Sequence, residues 1–159
     1  MSIRDTALYI AAVSAAVTGT ATAAINEGDV VTGGKTIIIT LTGDTWVAAG
    51  AAFDAQRANI IQGLDSAQAE ATGWNAEVRD KEVGAAVVRT SDTVVTITLS
   101  ASALYDITAQ ETITVTVPAT AVVLGNAIVA TPTFTVATTA AAALYPPWRS
   151  KRANTVLGA

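Results

Sequence analysis

The stretch Lys35-Thr36-Ile37-Ile38-Ile39-Thr40-Leu41 places Ile37, Ile39 and Leu41 on one side of an extended chain and Thr36, Ile38 and Thr40 on the other. Side chains alternate across a strand, so this period of two predicts a strand with one face in a core and the other wet or lightly covered. Working outward, Thr93–Leu99 repeats the pattern with Val95, Ile97 and Leu99 inward, and Thr112–Val117 repeats it with Ile113, Val115 and Val117 inward. Thr is β-branched, which favours strands while offering a hydroxyl to the outer face. Asn26-Glu27-Gly28-Asp29 and Gly33-Gly34 read as turns ahead of the first run. Gly33-Gly34-Lys35-Thr36 shares residues with the end of a phosphate loop, but it lacks that motif's upstream Gly and opens a strand rather than a helix.

Weaker signals complete the set. Thr20–Ile25 reads as a first strand, and Ala85–Thr90 as the partner of Thr93–Leu99 across the polar break Ser91-Asp92. Ile128–Val136 reads as a last strand in which Pro132 marks an edge or a bulge, and Pro118 ends the strand before it. One segment has another period: Phe53, Arg57, Ile60, Leu64 and Ala67 predict a helix over Phe53–Glu70, stopped at Gly73. Gly63 within it costs about 1 kcal/mol relative to Ala. The pattern predicts a mainly β domain: an immunoglobulin-like antiparallel β-sandwich with one inserted α-helix and extended terminal arms. A barrel is the alternative, because alternation does not say whether a sheet closes. Without Cys there is no inter-sheet disulfide, and Trp46 or Trp74 is expected at the centre of the core instead.

The chain has 159 residues, no Cys and no His, which removes disulfides, thiolate and imidazole chemistry, and nearly all zinc or copper sites. It is 51% hydrophobic but only 5% aromatic and 14% charged, against about 25% charged in a typical globular protein. Ala and Thr make up roughly a third of it. A surface so poor in charge is weakly protected against association, so much of it is expected to be covered by other protein. The net charge of −4 argues against nucleic acid as a partner.

Candidate sites are few, and no cofactor or metal is expected. Asp44, Asp54 and Asp65 are too widely spaced for a calcium loop and read as solvated turns and helix caps. Glu70, Glu77 and Asp80 are candidates for a catalytic carboxylate pair, but no aromatic-rich cleft accompanies them. Trp46, Trp74 and Trp148 read as core or interface anchors rather than a sugar platform.

Three segments follow from this reading: an Ala-rich arm over residues 1–19, the sandwich over 20–138, and a basic, aromatic arm over 139–159. Thr6–Ile25 is free of charge, follows Arg4, and ends near Thr22-Ala23-Ala24, which has the small residues of a signal cleavage site. Asp5 and the polar interruptions Ser14, Thr18, Gly19, Thr20 and Thr22 favour a contact arm over a signal peptide, and no membrane span is expected. From Ala140 onward there is no acidic residue, while Arg149, Lys151 and Arg152 are basic. Tyr145-Pro146-Pro147-Trp148-Arg149 combines an extended path of low conformational entropy with aromatic anchors and a guanidinium. Tyr145, Pro146, Pro147, Trp148, Arg149, Lys151 and Arg152 are therefore the interface candidates.

The runs Gly34-Lys35-Thr36-Ile37-Ile38-Ile39-Thr40-Leu41-Thr42-Gly43-Asp44-Thr45-Trp46, Arg89-Thr90-Ser91-Asp92-Thr93-Val94-Val95-Thr96-Ile97 and Tyr105-Asp106-Ile107-Thr108-Ala109-Gln110-Glu111-Thr112-Ile113-Thr114-Val115-Thr116-Val117-Pro118 resemble Ig-like modules of tailed-bacteriophage structural proteins. The resemblance covers roughly residues 20–137 and brings no catalytic residues. It implies a non-enzymatic virion component, a capsid decoration protein or a tail or head-tail accessory protein, whose partners are copies of itself and other virion proteins. The alternative is a cell-surface adhesion or carbohydrate-binding module, with a host glycan as partner.

Overall fold

In the computed structural model, which describes residues 17–22, 25–68, 70–81, 86–125, 128–130 and 132–139, the alternating runs are strands whose apolar sets enter one core. The elements in chain order are β1 (Val17–Thr22), β2 (Ile25–Asn26), α1 (Glu27–Thr32), β3 (Thr36–Thr42), α2 (Ala51–Asp54), α3 (Arg57–Gln62), β4 (Leu64–Ser66), β5 (Ala86–Arg89), β6 (Val94–Thr98), β7 (Glu111–Val115), β8 (Ile128–Ala130) and β9 (Thr133–Ala137). A single π-helical turn covers Asn75–Arg79 and a 3-10 turn covers Ala119–Ala121.

The strands form two sheets, one ordered β5-β6-β3-β1-β8 and the other β2-β9-β7-β4. Val87, Ile37, Ile39, Leu41, Val95 and Ile97 from the first meet Leu64, Ile113, Val115, Phe134 and Val136 from the second, all buried. Each such side chain contributes roughly 1.5–3 kcal/mol by leaving water. Leu99 and Val117 keep the same parity just past their strands and are buried too. Both Trp46 and Trp74 are fully buried. Trp46 stands edge-on to Phe53 at 6.4 Å, and Trp74 edge-on to Phe134 at 5.5 Å and to Tyr105 at 6.5 Å. The expected hairpin is present, with β5 and β6 paired from Ala86–Thr98 to Arg89–Val95. Its turn is held by Ser91 Oγ, which accepts from the amides of Thr93 and Val94, and by the Arg89–Asp92 ion pair at 2.6 Å.

Three expectations are corrected. The single helix over Phe53–Glu70 is two short helices followed by a strand, α2, α3 and β4. The break is at Gly63, whose amide still donates to Asn59 O and Ile60 O while its carbonyl accepts from Thr116 N at 2.7 Å. A Cβ at Gly63 would collide with the Thr116 carbonyl, so the close approach of β7 ends the helix and turns Leu64 into a strand residue. Next, Asn26-Glu27-Gly28-Asp29 is no simple turn. Asn26 Oδ1 accepts from Asp29 N at 3.0 Å, Asp29 Oδ2 accepts from Asn26 N at 3.1 Å, and this capping box starts α1.

The third correction concerns the terminal strands. The expected strands Thr20–Ile25 and Ile128–Val136 each divide between the two sheets, and their pairings, β1 with β8 and β2 with β9, are parallel rather than antiparallel. Pro132 lies at the second crossing, where its missing N–H costs no ladder bond and its carbonyl accepts from Val115 N at 2.8 Å. The described sheet begins at Val17, three residues before the expected boundary. Because β1 is antiparallel to β3 and parallel to β8, and β2 is parallel to β9, the described chain enters at one pole of the molecule and leaves at the other.

Candidate interaction surfaces

The seven interface candidates Tyr145, Pro146, Pro147, Trp148, Arg149, Lys151 and Arg152 lie outside the described residues, as do residues 1–16. Three surfaces stand out among the described residues. The first is the outer face of the five-stranded sheet. Cross-strand register aligns Ala86 with Thr98 and Thr36 in one row, and Val88 with Thr96 and Ile38 in the next. Val88 is 52% exposed and Ile38 39%. Arg89 is the one charged residue of β3, β5 and β6, and its register partner is the buried Val95, so it sits on the core-facing side. β5, β6 and β3 are antiparallel, and the outward residues of such a sheet are ordinarily polar, charged ones among them. This one presents Thr, Ala, Val and Ile.

The second surface is an open cleft of about 410 Å³ at the pole where β1 begins, lined by Gly43, Asp44, Thr45, Thr93, Val123 and Leu124. Asp44 is no solvated turn residue. It is buried, and its carboxylate accepts from Thr45 N at 2.7 Å and from Leu124 N at 3.0 and 3.2 Å. These bonds tie the Gly43–Thr45 turn to the Val122–Leu124 segment, which the Trp46–Val122 bridge holds from the other side. Val123 and Leu124 stand 61% and 64% exposed at the rim.

The third surface is the opposite pole, where β9 ends. Glu27 accepts from both the amide and the hydroxyl of Thr139, which hold its carboxyl below the usual carboxylate range. Glu70 accepts from Thr108 Oγ1 at 2.8 Å and Thr108 N at 3.3 Å. Beneath them is a carboxylate that sequence reasoning missed. Glu111 is fully buried and accepts from Tyr105 Oη at 2.7 Å, Trp74 N at 3.0 Å and Ser66 Oγ at 3.2 Å. Burial, then the bond to Glu111, pushes the Tyr105 phenol far above its ordinary value. The cluster is a clasp joining β4, β7 and the loop before β7. Its sequence signal was parity alone: Glu111 falls on the inward side of the Ile113-Val115-Val117 set.

The remaining candidates separate. Glu77 pairs with Lys81 at 2.6 Å, Asp80 with Arg79 at 2.9 Å, and Glu70 with Thr108, so the three do not form a facing pair. Asp54 pairs with Arg57 and Asp65 with Arg79. Trp46 and Trp74 offer no exposed ring for a sugar. Among the described residues no acidic cluster fits a metal ion, and no helix is long and apolar enough to cross a membrane. Compared with family models, with curated proteins and with solved structures, the chain matches none.

Proposed function

We propose that this chain is a non-enzymatic structural component of a tailed-bacteriophage virion, an Ig-like module that attaches to and stabilises a particle through subunit contacts, in the manner of a capsid decoration protein or a tail or head-tail component. The uncharged outer face of β5, β6 and β3 carries the reading: Val88 and Ile38, exposed among Thr36, Thr96 and Thr98, are apolar surface that another protein would cover. The strand order supports the Ig-like assignment. Lettered in chain order, with the short β2 and β8 set aside as edge strands added to the second and first sheets, β1, β3, β6 and β5 follow the A-B-E-D order of one Ig sheet, and β4, β7 and β9 the C-F-G order of the other.

Tyr145, Pro146, Pro147, Trp148, Arg149, Lys151 and Arg152 would add anchors to neighbouring subunits, and repetition over a lattice would multiply modest pairwise affinities. The adhesion or glycan-binding alternative needs exposed aromatic rings, and the burial of Trp46 and Trp74 disfavours it. The test is quantitative mass spectrometry of washed virions from cells producing the chain. A fixed copy number per particle is expected, and absence of the chain from virions overturns the reading.

A further inference from the structure

The cleft at the entry pole is not accounted for by the core. It combines an apolar rim, Val123 and Leu124, with a buried carboxylate, Asp44, whose donors are backbone amides and which has no cationic partner among the described residues. Such a carboxylate has lone pairs to spare for a charge-assisted bond, and a guanidinium matches it in geometry as well as charge. The ligand that suits the pair is an aromatic ring next to an arginine. This chain carries that combination at Trp148-Arg149, directly after Pro146-Pro147, residues that favour an extended path at low entropic cost.

Strand direction sets where the segment starts relative to the cleft. The cleft lies beside Thr42, at the pole where β1 begins, whereas Thr139 leaves at the other, beside Asn26. β3 alone spans its seven residues between the poles, about 23 Å at strand rise, and Thr139 and Leu124 lie beyond its two ends, on the order of 30 Å apart. From Thr139 to Trp148 the chain reaches only about 30 Å when fully drawn out. Reaching its own cleft would require that segment taut along the whole sandwich. A second copy stacked pole to pole sets its cleft directly ahead of the exit.

We infer that the Gly43–Thr45, Thr93 and Val123–Leu124 cleft is the seat of the C-terminal segment of a second copy of this chain, with Trp148 on Val123 and Leu124 and Arg149 on Asp44. This rests on the assembly reading above and names its contact. The arrangement is head-to-tail, and such contacts build rings or open filaments rather than closed pairs.

The absence of Cys makes a direct test available in the full-length chain. Thr93→Cys, in the cleft, and Ser150→Cys, beside Arg149, are prepared as separate chains, shown to keep the unmodified unfolding temperature, and mixed under mild oxidation. Leu104→Cys, 66% exposed at the opposite pole, is the control that random collision favours. The expected result is a Thr93–Ser150 mixed disulfide forming at least about tenfold faster than the Leu104–Ser150 one, and slowed to the control rate by Trp148→Ala in the Ser150→Cys chain. Equal rates at the two poles overturn the inference. So does a doubly substituted Thr93→Cys, Ser150→Cys chain that closes on itself, with no disulfide-linked multimers, at the same concentration at which the separate chains are mixed. Either failure with the chain still present at fixed copy number in virions leaves the assembly reading standing, whereas absence from virions removes that reading itself.

Discussion

Glu111 and Trp46 are both fully buried polar side chains, and they are opposite cases. Glu111 satisfies three donors, so Glu111→Ala strands Tyr105 Oη and Trp74 N without an acceptor. A loss of about 3 kcal/mol is expected, with Glu111→Gln costing less, measured by urea unfolding. Trp46 Nε1 has no hydrogen-bond partner, so Trp46→Phe breaks no bond, and its expected cost of about 1–3 kcal/mol in the same assay comes from the cavity left by the smaller ring. Titration separates two further residues. The folded Tyr105 pKa lies above its unfolded value of 10.0, so its contribution is complete below that pH and is lost as pH rises beyond it. Tyr105→Phe is expected to flatten the alkaline limb of unfolding temperature against pH. Glu27 is the reverse case, held below 4.5 chiefly by the Thr139 hydroxyl and amide. Its contribution is present above pH 4.5 and fades as pH falls through the lower folded value, so Glu27→Gln should shallow the acid limb.

At the scale of elements, parity was a better guide than helical spacing. Every inward position expected on β3 and β6 is buried, because a period of two has one meaning on a sheet. The helical pattern from Phe53 misled after Gln62. Leu64 is apolar at a helical interval, yet it also opens a strand, and nothing local separates these meanings for a short run. What separates them is Thr116, fifty-three residues on, whose carbonyl occupies the space a side chain at residue 63 would need. Gly63→Ala is therefore expected to destabilise by about 3 kcal/mol, far outside a glycine's usual helix effect, and to expose β4 amides to hydrogen exchange. The same limit hid the sheet crossings of the terminal strands, since alternation cannot say which of two sheets a residue joins.

On the scale of the whole molecule, the outer sheet face and the two poles matter most. Charge placed on that face, as Ile38→Lys with Val88→Lys, touches no core side chain and should alter stability by no more than about 0.5 kcal/mol. The same double substitution is expected to lower the copy number in virions, read by mass spectrometry beside a urea curve. A drop in stability equal to the loss of incorporation would mean that the face serves the fold instead. Charge distribution sharpens the picture: the described residues hold eleven acidic against five basic side chains, while residues 140–159 hold three basic and none acidic.

The amino-acid sequence by itself determined the strand-rich architecture, the inward set of each strong strand, the hairpin at Ser91-Asp92 and the charge-poor surface, because alternation and composition are local properties. Tertiary structure alone decided the sheet memberships, the parallel terminal pairings, the burial of Asp44 and Glu111, and the two poles. Each depends on which distant backbone amide or carbonyl comes within hydrogen-bonding reach, and that is a property of the packed chain rather than of any one segment.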